Sequence, residues 1–210
     1  WNLTGGLANS ADPTSIAPNE ASDLQNVTLS TSGGIEKRGG FARINASAAC
    51  GSGAFTGVFQ NTQADADRFL IGLCTNDTIV KIDYGAGTTG PDGTWDNITG
   101  SLSFAIGQDD LADFATVQDV AVIEDGLRTT DPYTYTGTGD AGTLSNAPNA
   151  SMVEFHNRIL WLAGRSDARS RIDFSNLDDY TTYTSTDFIL VETDDGQTIT
   201  GLRAALDCLY

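Results

Sequence analysis

The run MVEFHNRILWLAG, residues 152–164, continued at 169–202 by RSRIDFSNLDDYTTYTSTDFILVETDDGQTITGL, decides how this chain reads. Its first part alternates about the polar pair His156-Asn157. Val153, Phe155, Ile159, Trp161 and Ala163 are assigned to one face, and Glu154, His156, Arg158 and Leu160 to the other. Alternation interrupted by a short polar turn is the pattern of a β-hairpin, because successive strand side chains point to opposite faces. Ile172 with Phe174, then Phe188 with Leu190, repeat the period after interruptions too short to hold a helix. Four short antiparallel strands in about fifty residues make one blade's worth of sheet, so the stretch predicts a propeller module. The remainder of the chain is then expected to hold more copies.

Moving toward the N-terminus, residues 112–146 repeat the theme. Ala112 to Ala115 with Val117 read as one strand and Val120 to Glu124 as the second. Asp125-Gly126 reads as a tight hairpin turn, and Pro132 to Tyr135 as the third strand before a Gly-rich loop at 137–142. Residues 52–100 give four more candidates: Phe55 to Gln60, Arg68 to Cys74, Thr78 to Tyr84, and Thr94 to Thr99 after a Gly/Pro/Asp loop at 85–93. Comparable strands recur at an irregular spacing of about forty to fifty residues, the range of blade-type repeats. Gly contributes 23 of 210 residues and helix-favouring runs are scarce, which makes all-β the fold class.

Residues 1–44 differ. They are punctuated by Gly-Gly, Asp-Pro and Ala-Pro, with one short helical candidate at Asn19 to Gln25. Val27 and Leu29 then alternate into a strand, Ser32-Gly33-Gly34 turns, and Ile35 to Arg38 returns. The division is therefore an N-terminal arm and hairpin at 1–44 and propeller-like blades at 45–210, expected to continue past Tyr210.

The residues of this arm carry a family resemblance. Gly6-Leu7, Asp12-Pro13, Asn19-Glu20-Ala21, Leu24-Gln25-Asn26-Val27 and Gly34-Ile35-Glu36-Lys37-Arg38-Gly39 resemble, in that order, the opening of β-propeller tail nozzle and hub proteins of tailed phages. Trp95-Asp96-Asn97-Ile98-Thr99, the run AVIEDGLRTTDPYTYTG (121–137) and the run FHNRILWLAG (155–164) with SRIDFSNLDDY (170–180) are similar to later elements of the same family. The chain departs at Gly39-Gly40, where the family often has Pro-Gly. Two glycines there permit the positive φ that ends a hairpin.

With 28 acidic and 11 basic residues the formal net charge is −17. That excludes a general nucleic-acid binder, which needs clustered Lys and Arg to neutralise phosphate. Cys50, Cys74 and Cys208 show neither metal spacing nor CxxC, and an odd count argues against a fully paired scaffold. No run of eighteen apolar residues and no opening signal peptide are present, so no membrane association is expected. Six N-x-S/T triplets begin at Asn2, Asn26, Asn45, Asn76, Asn97 and Asn149, in an Asn- and Thr-rich chain where such triplets also arise by chance.

Catalytic chemistry finds little support. His156 is the single histidine, and without a nucleophile elbow it reads as a turn residue hydrogen-bonded to its loop. Trp95 reads as packing between sheets. The acidic pairs Asp109-Asp110, Asp178-Asp179 and Asp194-Asp195 are adjacent in sequence and read as solvated turns, not as carboxylates facing across a cleft. Asp194-Asp195-Gly196 lacks the spacing of a calcium loop. The Gly-rich pieces at 85–87 and 137–139 precede no helix and read as turns, not phosphate cradles. Arg165, Arg169 and Arg171 share one loop and suggest ion pairs with Asp167 and Asp173. No catalytic, cofactor-binding or metal residue is assigned, and no cofactor.

The resemblance implies a virion structural protein, a subunit of a tail nozzle or hub without enzymatic activity. It implies a ring of copies, sixfold in the family, contact with other tail proteins such as an adaptor, and a part in retaining and passing a DNA genome that is not specifically bound. An acidic surface is compatible with such a passage. The competing reading is a carbohydrate- or receptor-binding propeller for host attachment, or a glycosidase. That reading requires an arginine cluster and a carboxylate converging at the axis.

Overall fold

The computed structural model describes residues 6–7, 20–21, 27–29, 35–38, 48–84, 93–191, 197–205 and 208–209. The chain divides into two compact units, Trp1–Arg43 and Ile44–Tyr210. In the first, β1 (Gly6–Leu7) pairs parallel with β2 (Glu20–Ala21), and β3 (Val27–Leu29) pairs antiparallel with β4 (Ile35–Lys37). The β3–β4 pairing follows the alternation. The helix expected over Asn19 to Gln25 is corrected, since Glu20 and Ala21 are extended and paired with Gly6 and Leu7. The other residues of that candidate, apart from the ones named, and the turn at 32–34 lie outside the described residues.

The second unit is all-β, with no helix among the described residues. Three four-stranded antiparallel sheets follow one another along the chain, each with neighbouring strands in sequence order. The first holds β5 (Phe55–Thr62), β6 (Arg68–Cys74), β7 (Thr78–Asp83) and β8 (Asp96–Asn97). The second holds β9 (Asp113–Val117), β10 (Val120–Glu124), β11 (Tyr133–Tyr135) and β12 (Gly142–Thr143). The third holds β13 (Met152–His156), β14 (Ile159–Ala163), β15 (Arg171–Phe174) and β16 (Phe188–Leu190). A two-stranded antiparallel pair, β17 (Ala204–Ala205) and β18 (Cys208–Leu209), comes last.

The strands sit where period-two apolar runs and β-branched residues favour a pleated, half-buried surface. Two details differ from the sequence reading. The tight hairpin of the second sheet is Gln118-Asp119, between β9 and β10, where both residues have positive φ (47° and 72°). That is the backbone of a two-residue turn matched to strand twist. Asp125-Gly126 instead opens an eight-residue connection, 125–132, between β10 and β11. In the third sheet the turn is Asn157-Arg158, again with positive φ (51° and 68°), which sets the register Val153↔Leu162 and Phe155↔Leu160. Val153, Phe155, Leu160 and Leu162 therefore share one face, and Met152, Glu154, Trp161 and Ala163 the other. A two-residue turn exchanges the parity expected from continuous alternation.

The second sheet is the middle layer. Ala121, Ile123, Tyr133 and Tyr135 face the first sheet and pack with Phe69, Ile71, Leu73, Ile79, Phe104 and Ile106. Ala115, Val117 and Val122 face the third and pack with Val153, Leu160 and Leu162. The first strands adjoin in series: β9 lies against β5 on one side and β13 on the other, and β17 lies against β13. Their hairpin tips are linked along one rim. Gln63 Nε2 donates to the Asp119 carbonyl (3.0 Å), and Ala64 N–H donates to Asp119 Oδ1 (2.8 Å). Gln118 Nε2 donates to the Asp178 carbonyl (3.1 Å), and Asp178 is itself ion-paired to Arg158 of the third tip.

Cys50 and Cys74 form a disulfide, tying the approach to β5 onto the end of β6, and Cys208 is exposed and free.

Candidate functional site

The first strands frame a cleft of about 540 Å³, lined among others by Val58 and Phe59 from β5, Asp113 and Phe114 from β9, Glu154 from β13, and Arg203 just before β17. Gly57 sets how closely β5 approaches β9. A Cβ at that position would lie 2.7 Å from the Phe114 ring and 2.8 Å from Ala112 Cβ. Beside it Phe59 and Phe114 stack with centroids 5.4 Å apart and planes 2° from parallel. The same approach lets Thr116 Oγ1 donate to Asn61 Oδ1 (2.5 Å) across the sheets.

The polar part of the cleft is one cation between two carboxylates. Arg203 Nη2 lies 2.7 Å from Asp113 Oδ1 and Nη1 lies 3.3 Å from Oδ2, a forked pair, with Glu154 Oε2 at 3.5 Å from Nη1. Asp113 Oδ2 also accepts the Val153 N–H at 3.0 Å, so this carboxylate joins β9, β13 and the segment leading into β17. The hydrogen bond to Asp113 holds the Arg203 guanidinium above its ordinary value against the opposing effect of burial, and the Asp113 and Glu154 charges add to it. Asp113 takes the end-on fork of Arg203, so a ligand entering the cleft meets a guanidinium already paired with a carboxylate.

A second polar group lies under the surface between the second and third sheets. Glu124 is 1% exposed, and its Oε1 has no hydrogen-bond partner. Burial first, then the charges of Asp125, Asp113 and Asp131, push this carboxyl well above the usual range, so it is protonated where ordinary glutamates are charged. The Tyr183 hydroxyl is likewise buried without a partner and pushed up by desolvation, with Glu124 next. Asp125, by contrast, is satisfied. It accepts from Leu127 N–H (2.9 Å), Thr130 Oγ1 (2.5 Å) and Tyr133 Oη (3.1 Å), and so fixes the 125–132 connection. Burial and then the Asp125 charge raise the Tyr133 hydroxyl.

The residues singled out from the sequence are scattered. His156 ends β13 with Nε2 2.9 Å from Asn157 Nδ2, and its carbonyl accepts from Trp161 Nε1 (3.2 Å). Trp95 packs on Phe55 at 5.5 Å. Asp110 accepts from Gly107 N–H at 2.8 Å. Asp179 accepts from Thr181 N–H and Oγ1, and hydrogen bonds from Thr181 and Thr182 lower its carboxyl. Arg165 pairs with Asp167 (2.8 Å) and Asp173 (3.4 Å), and Arg171 Nε donates to Asp173 (2.7 Å), the carboxylates the loop spacing had suggested. Asn76 and Asn97 are exposed, whereas Asn149 is half-buried. Gly137 and Gly139 have positive φ (99° and 70°). Residues 85–87 and Asp194-Asp195 lie outside the described residues. Among the described residues no group of three or more His, Cys, Asp or Glu side chains is arranged to hold a metal.

Sequence reasoning missed Asp113, Glu154, Arg203 and Glu124. The first three are united by packing across up to ninety residues of chain, which no local pattern reports. Glu124 carried a signal, since it continues the alternation of Val120 and Val122 onto a buried face.

The geometry defines an all-β protein of serial four-stranded antiparallel sheets, with a cleft on the first strands in which one arginine is held between two carboxylates. No protein-family model, no curated protein and no solved structure matches the chain.

Proposed function

We propose that this protein is a non-catalytic structural component of a phage virion tail, a nozzle or hub subunit whose sheets are arranged radially as propeller blades. The observation that carries the reading is the serial adjacency of β5, β9, β13 and β17, the first three each leading a four-stranded up-and-down meander and the last a two-stranded hairpin. Radial repetition of four-stranded sheets puts the first strands side by side around an axis. Two further features support a scaffold over an enzyme. The cleft on these strands holds Arg203 already forked onto Asp113, and Arg165 and Arg171 are paired with carboxylates of their own loop and strand. A surplus of carboxylates also suits a wall past which a polyanionic genome moves without adhering.

In this reading copies of the chain form a ring, contact an adaptor-like tail protein, and retain or release DNA without reading its sequence. The test is negative-stain imaging of the purified protein, with gold-labelled antibody against it on phage particles. Rings, sixfold by family resemblance, and label at the tail are expected. A monomer that cleaves glycosides, or particles without label, overturns the reading.

A further inference from the structure

The second sheet is covered on both faces: Ile123 toward the first sheet and Val122 toward the third are both fully buried. The third sheet is covered differently on its two faces. Val153, Leu160 and Leu162 sit in the core shared with the second sheet. The register Met152↔Ala163↔Ile172↔Ile189, with Trp161↔Phe174 alongside, places an apolar stripe on the opposite face. Of that stripe only Ala163 is fully buried. Met152, Trp161, Ile172 and Phe174 are half-buried, and Ile189 is 48% exposed. Trp161 and Phe174, 5.3 Å apart, shield each other. A face this apolar on a sheet is built to be covered.

The chain itself indicates what covers it. From the third sheet it runs through the buried Leu202 to β17, which lies against β13 as β13 lies against β9 and β9 against β5. Arg203 anchors that placement by its fork onto Asp113 and its contact with Glu154. Each earlier first strand with this placement leads a four-stranded meander whose inner side covers the preceding sheet. We propose that the Met152–Trp161–Ile172–Phe174–Ile189 face is the docking surface for a fourth antiparallel sheet of the same polypeptide, led by the hairpin β17–β18. The occupant is a β-meander with an apolar side, joined covalently and so needing no separate association step. This inference rests on the radial-sheet part of the reading above and not on its virion part.

The experiment uses the product of the complete reading frame, with Ile189→Asp as the perturbation and Leu177→Asp, 59% exposed in the β15–β16 connection, as the control. Under a fourth sheet, I189D places a carboxylate in a core and lowers the melting temperature by roughly 4–10 °C with unchanged molar mass, while L177D shifts it by under about 2 °C. A reading frame ending within a strand's length of Tyr210 overturns the proposal, as does an I189D variant that melts with the wild type. Loss of a dimer on I189D, read by light scattering, also overturns it, because the cover is then a second copy. A melting shift in a protein absent from tails removes only the virion reading, and a tail protein indifferent to I189D removes only this one.

Discussion

Replacing Glu124 by Gln removes a titration from the middle of the protein while keeping the shape of the side chain. Glu124 faces the third sheet, opposite Asp113 in the β9–β10 register, next to Asp125 and near Asp131 of the following connection. Tyr133 lies on the neighbouring strand, and the hydroxyl of Tyr183 and the carboxylate of Asp173 act on the same region from the third sheet. Three cations are already committed nearby, Arg203 to Asp113 and Arg165 with Arg171 to Asp173. The Glu124 carboxyl therefore meets acids and low-dielectric surroundings, and its folded value is raised. The sign follows: the folded protein binds this proton more tightly than the unfolded chain does. The stability it contributes is complete below the unfolded value near 4.3 and is lost as pH climbs through the raised folded value.

Between those limits the slope is fixed at about −1.4 kcal/mol per pH unit, whatever the folded value. Other groups titrate in the same range, but they are common to both proteins, so the comparison isolates Glu124. Urea unfolding of wild type and E124Q from pH 5 to pH 7 should show wild type losing up to about 2.7 kcal/mol relative to the variant, levelling off once Glu124 ionises. In melting temperature each kcal/mol of that loss is a relative gain for E124Q of about 2–4 °C for a chain of this size. At pH 5 the two should lie within about 1 kcal/mol, since a protonated carboxyl and an amide are near-isosteres with similar unmet hydrogen bonds. Stability curves that stay parallel across the range would refute the reasoning.

Three other perturbations have defined outcomes. Changing both Cys50 and Cys74 to Ser opens a loop closed across 24 positions and should cost about 3 kcal/mol in unfolding under non-reducing conditions, with no difference from wild type once a reductant is added. Gly57→Ala pushes a methyl into Phe114 and Ala112 and should cost about 1–3 kcal/mol, with near-ultraviolet circular dichroism reporting the disturbed Phe59–Phe114 stack. Asp113→Ala strands the Val153 N–H as well as Arg203 and should cost about 1–3 kcal/mol, whereas Arg203→Ala, on a side chain 63% exposed, should stay within about 1 kcal/mol by the same chemical denaturation.

Much of the strand pattern could be read locally, because alternation is a local property. Arg68 to Cys74, Val120 to Glu124 and the residues on either side of Asn157 lie in strands as their periodicity requires. Turns were less legible. Asp125-Gly126 has favoured hairpin composition, yet the two-residue turn with both φ angles positive is Gln118-Asp119, where β9 and β10 are in register up to the turn. Asp125 spends its carboxylate on Leu127, Thr130 and Tyr133 instead. The faces of β14 were misjudged for a related reason, since parity across a hairpin depends on whether the turn holds two residues or one. The Arg165–Asp173 contacts were legible because they lie eight residues apart, and Arg203–Asp113 was not, because ninety residues of folded sheet bring them together.

What aligns these sheets is not apolar burial alone. Two flat apolar faces can slide by a residue pair at little cost in buried area, because the hydrophobic effect is non-directional. Directional bonds along the rim remove that freedom. Asn61 and Gln63 of the first sheet hold the Gln118-Asp119 turn, through the Asp119 carbonyl at 3.3 and 3.0 Å, and Gln118 in turn holds Asp178 beside the third turn. Each tip thus fixes the next, and Asp113 does the same on the cleft side by taking Val153 N–H. A repeat joined this way has a set rotation per sheet, which is the property an array of radial sheets needs if successive first strands are to keep facing one axis. Loosening one tip, as by Gln118→Ala, should therefore leave sheet content unchanged while raising amide exchange in the Asn157-Arg158 turn. Exchange raised equally in β10 and β14 would instead mean that the rim bonds hold the sheets together and do not set their angle.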